Sequence, residues 1–84
     1  MTKEELKIEL SKIGVIESDY SIDEGLKSDA YIIEEYDGLW RFFYYDEKGE
    51  ESQQSLFKSK EESFKYLVST FKDQLKLLGK DNFR

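Results

Sequence analysis

Residues 30–57, A-Y-I-I-E-E-Y-D-G-L-W-R-F-F-Y-Y-D-E-K-G-E-E-S-Q-Q-S-L-F, decide the fold of this chain. Ala30–Tyr36 and Leu39–Tyr45 are rich in aromatic and β-branched residues, and Asp37-Gly38 alone separates them. A type I′ turn needs positive φ at both central residues, so Asp-Gly between two such runs predicts a two-residue hairpin. That turn pairs residue 36 with 39, 35 with 40, 34 with 41, 33 with 42, 32 with 43 and 31 with 44. Opposed residues share a face. Tyr31, Ile33, Glu35, Trp40, Phe42 and Tyr44 therefore line one face, and Ile32, Glu34, Tyr36, Leu39, Arg41, Phe43 and Tyr45 the other. Glu34 opposite Arg41 marks the second face as the wetter one, so the first is expected to pack on helices.

A second hairpin follows. Asp46-Glu47-Lys48-Gly49 offers a short loop with glycine at its left-handed position, and residues 51–57 stay polar until Leu56 and Phe57. A polar strand suits a sheet edge, where charges and amides discourage further pairing.

Helices flank this core. Thr2-x-x-Glu5 and Ser59-x-x-Glu62 both have capping-box spacing. Leu6, Leu10 and Ile13 form the apolar stripe of a first helix over about 3–13, stopped by Gly14. Phe64, Leu67, Val68, Phe71, Leu75 and Leu78 form that of a longer one over about 60–78, stopped by Gly79. Residues 14–29 show no clean periodicity and read as an ordered connection with room for a short strand or helical turn near 20–24. The expected architecture is α+β: one domain over 1–84, two layers, order αβββα, a three-stranded antiparallel meander packed against N- and C-terminal helices.

Composition narrows function. The 84 residues contain neither cysteine nor histidine, which removes disulfides, thiolate metal sites and His-based catalysis. No run of about 20 apolar residues or secretory leader is visible, so a cytoplasmic protein without membrane contact is expected. The net charge is −6, but residues 17–51 hold twelve acids against Lys27, Arg41 and Lys48, a local −9. Such a segment repels phosphate backbones and complements a basic protein.

Two groups of carboxylates stand out: Glu34, Glu35 and Asp37 at the first turn, and Asp46, Glu47, Glu50 and Glu51 at the second. Paired carboxylates can perform glycosidase-type catalysis or hold calcium. The D-E-K-G-E-E run lacks EF-hand spacing, and a chain this short leaves little room for a cleft around a sugar. Neither an enzyme, a cofactor nor a metal is expected. These acids, with Tyr36, Arg41, Phe43 and Tyr45 as anchors, are expected to form a partner-binding surface, because aromatics and arginine dominate interface energetics.

The run D-G-L-W-R-F-F-Y-Y-D-E-K-G-E (37–50) resembles the pattern Gly-x-Trp-x-x-x-Tyr-(Tyr)-x-Glu-(Arg/Lys)-Gly. F-K-S-K-E-E-S-F-K-Y-L (57–67) resembles its companion, Phe-x-Ser-x-x-x-Ala-x-x-Tyr-Leu. Upstream, Tyr20, Gly25-Leu26 and Ala30-Tyr31 are compatible with it. Both patterns are those of small α+β immunity proteins of bacterial polymorphic-toxin and contact-dependent inhibition systems. Lys48 stands where an arginine is common there, and Ser63 where alanine is expected. The resemblance implies a cytoplasmic protein that binds and neutralises one cognate toxin, and it carries over no interface residues. The acidic charge favours a basic toxin such as a nuclease. The competing expectation is a structural or adaptor domain that dimerises through the outer sheet face.

Overall fold

The computed structural model describes residues 1–77. Leu78 and Gly79, assigned above to the end of the long helix, lie outside the described residues. The elements are α1 (Lys3–Lys12), a 3-10 turn (Glu17–Asp19), β1 (Tyr20–Ile22), β2 (Ala30–Tyr36), β3 (Leu39–Tyr45), β4 (Glu51–Phe57) and α2 (Lys60–Leu77). The fold is α+β, and it departs from the expected meander in one respect. The sheet has four strands in the order β1-β2-β3-β4, and β1 runs parallel to β2.

The first hairpin has the register expected of it, from Tyr31↔Tyr44 through Tyr36↔Leu39. Asp37 and Gly38 take φ of 53° and 79°, as a type I′ turn demands. In the second turn the Asp46 carboxylate accepts from the backbone N–H groups of Lys48 and Glu50, both at 2.9 Å. β4 contains a bulge: Phe42 pairs with Ser55 and Tyr44 with Ser52, which leaves Gln53 and Gln54 opposite Phe43 alone. Gln53 sits at φ 55°. Alternation sends the two glutamines to opposite faces, and the extra residue leaves Ser52 and Gln53 on the same one. Gln53 turns toward the Tyr31 hydroxyl on the inner face, and Gln54 donates to Glu51 on the outer one.

The capping boxes behave differently from one another. At α1, Glu5 N–H donates to the Thr2 hydroxyl at 3.1 Å and Thr2 N–H to the Glu5 carboxylate at 2.8 Å, the reciprocal pair. At α2, Glu62 N–H donates to the Ser59 hydroxyl, but Glu62 accepts from that same hydroxyl instead of from a cap amide.

The core lies between the helices and the inner face of the sheet. Leu6 and Leu10 of α1, with Phe64, Leu67 and Phe71 of α2, cover Tyr20, Ile22, Tyr31, Ile33 and Phe42. Tyr31 is its hub, with ring centroids 5.4 Å from Phe42, 5.0 Å from Tyr44 and 5.3 Å from Phe71. Gln74 donates to the Tyr31 hydroxyl at 2.5 Å, so the one polar atom of that ring is satisfied. Burial pushes the Tyr31 phenol pKa upward.

β1 is held partly by charge. The Lys3 ammonium lies 2.7 Å from Glu24, and Lys7 reaches both Glu24 at 3.6 Å and Glu17 at 3.8 Å, which ties α1 to the segments on either side of β1. The Lys3 hydrogen bond holds the Glu24 carboxyl below its ordinary range. A depressed carboxyl pKa contributes stability above the unfolded-state value, and that contribution vanishes as pH falls through the folded value. Glu24→Gln is therefore expected to lose less stability than the wild type between about pH 6 and about pH 3 in urea titrations. Equal losses in both proteins would show that the pair contributes nothing.

Candidate protein-binding face

Most of the outer face of the sheet is closed. Ser21, on the same face as its neighbour Ile32, donates to the Gly25 carbonyl at 2.7 Å, which holds the connection after β1 against this face. Lys27 anchors the same connection through the carbonyls of Glu17 and Tyr20, at 2.8 and 2.9 Å. Ala30, Ile32 and Phe43 form a second small buried cluster there, with Tyr45 half-buried beside it.

Phe43 requires a correction. It shares the outer face, as its pairing with Ile32 dictates, yet it is only 1% exposed and cannot be a direct anchor. Arg41 stands over its ring. Its guanidinium carbon stands 4.9 Å from the Phe43 ring centre, Nη1 donates to Glu34 at 2.7 Å and Nη2 to Glu51 at 3.0 Å. One arginine thus joins β2, β3 and β4 across the face. The three side chains are each about a third exposed, so each exposed-type pair contributes at most about 1 kcal/mol. Arg41 is a strut, with both of its terminal nitrogens bonded within the chain.

The remaining acids are not brought together. Glu35 and Asp37 are exposed at the tip of the first hairpin, and Glu47 and Glu50 are exposed in the second turn. The seven-residue β3 separates the two turns by about 20 Å, so the acidic segment forms two poles. Glu34 and Glu51 share the single positive charge of Arg41, and Asp46 is engaged within its own turn.

What stays open is the half of the face at the first hairpin tip. Tyr36 is 73% exposed, Leu56 63% and Leu39 39%. With Arg41 and Gln54 they line a shallow, mostly apolar groove of about 450 Å³. Tyr36, expected on the outer face, is exposed there. Leu39 and Leu56 were not among the residues expected to bind a partner, although their signals existed: Leu39 pairs with Tyr36, and Leu56 interrupts a polar strand. Among the described residues, no cluster of acidic side chains is arranged to hold a metal ion, and no helix is long and apolar enough to cross a membrane. Comparison with family models, with curated proteins and with solved structures yields no match to this chain.

Proposed function

We propose that this chain is a non-catalytic immunity protein, which binds and neutralises a cognate basic toxin, a nuclease domain, through the first hairpin tip and the open half of the outer sheet face. The observation that carries the reading is the groove of Tyr36, Leu39 and Leu56 with Asp37 at the adjacent turn and Glu34 on the same face. Three large exposed apolar residues side by side, rimmed by carboxylates, have the composition of an interface centre with a charged border. The apolar side chains supply contact area, and the acids steer a cationic partner and speed its capture. A nuclease must carry basic surface to hold phosphates, so an acidic protein seated on that surface occludes substrate. The likeness of residues 37–50 and 57–67 to immunity proteins supports a toxin as the partner.

The test is co-expression with the product of whichever gene adjoins this chain's own, assayed for nuclease toxicity, followed by binding kinetics on the purified pair. Expected results are rescue of growth, a stable complex, and association slowed at least about tenfold between low and high salt. Tyr36→Ala and Leu39→Ala are expected to weaken the complex, Tyr36→Ala by about 30-fold, the effect of removing an interface anchor. Absence of rescue together with absence of a complex overturns the proposal.

A further inference from the structure

No described strand lies on the far side of β4, and the hydrogen-bond alternation fixes which of its residues face that open side. The two-residue turn makes Tyr36 and Leu39 a hydrogen-bonded pair, so Leu39 and Arg41 direct their backbone groups at β2. Trp40 and Phe42 alternate with them and direct theirs at β4. The Asp46 N–H, of the same parity, donates to the Glu50 carbonyl at 3.0 Å, as this alternation requires. Phe57 and Ser55, opposite Trp40 and Phe42, therefore bond to β3. Leu56, opposite Arg41, turns its N–H and C=O away from β3, at the open side. Among the described residues, no turn or loop bond takes up either group.

A free N–H and C=O on one edge residue are what an added strand pairs with. The bulge at Gln53 and Gln54 interrupts the earlier part of β4, so an incoming segment meets Ser55, Leu56 and Phe57. Three residues suffice on this sheet, since β1 joins β2 through three. Both faces of such a segment find apolar surface. Leu56 is 63% exposed and lines the outer groove, so a side chain opposite it enters that groove's open border. On the inner face Phe57 packs 5.2 Å from the ring of exposed Tyr66, which receives the next side chain of the segment. Lys58, exposed, follows the stretch and favours a carboxylate or a neutral polar group beside it.

We infer that the toxin engages this chain by strand addition. An extended segment of the toxin pairs with Ser55–Phe57, with one apolar residue opposite Leu56 and another against Phe57 and Tyr66. The inference rests on the toxin reading and names the element of the partner that enters the groove. The segment lies on the β4 side, and the toxin's cations meet Glu34 and Asp37 on the β2 side.

Amide hydrogen exchange, read residue by residue by NMR on the free chain and on its complex with the toxin, tests this. In the free chain the Leu56 amide is expected to exchange at least about tenfold faster than those of Ser55 and Phe57. Binding is expected to slow it at least about 100-fold. Leu56→Ala and Leu56→Pro separate the side chain from the amide, because proline is tolerated where an edge N–H points outward. With the fold checked by circular dichroism, Leu56→Pro is expected to weaken the complex at least about tenfold beyond Leu56→Ala. Should the proline variant fail to fold, the exchange measurement decides. A complex whose Leu56 amide exchanges as in the free chain means that a helix or loop fills the groove without pairing. That result, or a folded proline variant no weaker than the alanine one, overturns the inference and leaves the toxin reading intact. Absence of any complex overturns both.

Discussion

Phe42→Ala is expected to cost about 3–5 kcal/mol in urea unfolding, the largest loss of any single substitution considered for this chain. Phe42 is 1% exposed and stacks on Tyr31 at 5.4 Å, and Tyr66 stands edge-on to it at 4.8 Å. Truncation removes the ring area and leaves a cavity that two rings cannot close without leaving their own partners. A domain of this size has a total stability of about 4–12 kcal/mol, so the variant retains little margin. The expected sign is a large fall in the denaturation midpoint with an unchanged slope against denaturant. A loss below about 1 kcal/mol would mean that the aromatic hub around Tyr31 does not hold the layers together.

Ile22→Ala is expected to cost about 2–5 kcal/mol. This is a strong statement about a three-residue strand at the sheet edge. Ile22 is nevertheless fully buried, pairs with Ile33 and belongs to the same core as Leu6, Leu10 and Phe64. Were β1 a loosely attached segment, the substitution would shift stability by no more than about 0.5 kcal/mol, and urea denaturation distinguishes the two outcomes.

β1 also shows where sequence reading ran out. Tyr-Ser-Ile is too short to establish an alternation, and its one polar residue, Ser21, is buried like its neighbours. Parallel pairing with β2 has no turn signal comparable to Asp-Gly. The return to β2 runs through Asp23 and Asp29 at φ of 55° and 57°, a conformation that aspartate tolerates without advertising. By contrast, the hairpin register follows from one dipeptide and from side-chain alternation, and every pairing expected from them is present.

Which side chains share the outer face was legible by the same measure. Tyr36 and Leu39 reach the outer face because alternation puts them there, and Glu34 meets Arg41 because they are opposed. The fate of Phe43 could not be read in this way. Its cover depends on Arg41 reaching Glu51, whose placement depends on a second turn and on a bulged strand. The grouping of seven acids in the sequence likewise says nothing about the length of strand that separates their turns.

The sequence by itself determined the two helices, the turns, the pairing of β2 with β3, the polar third strand of the expected meander and the acidic balance of the middle of the chain. These are encoded by residues a few positions apart, through φ preferences, capping hydrogen bonds and apolar periodicity. Only the tertiary structure decided that β1 joins the sheet, that the following connection lies against the outer face, that Arg41 closes over Phe43 and that the charge divides into two poles. Each of those depends on which distant segments reach a surface first covered by others, and burial of that kind is a property of the assembled layers.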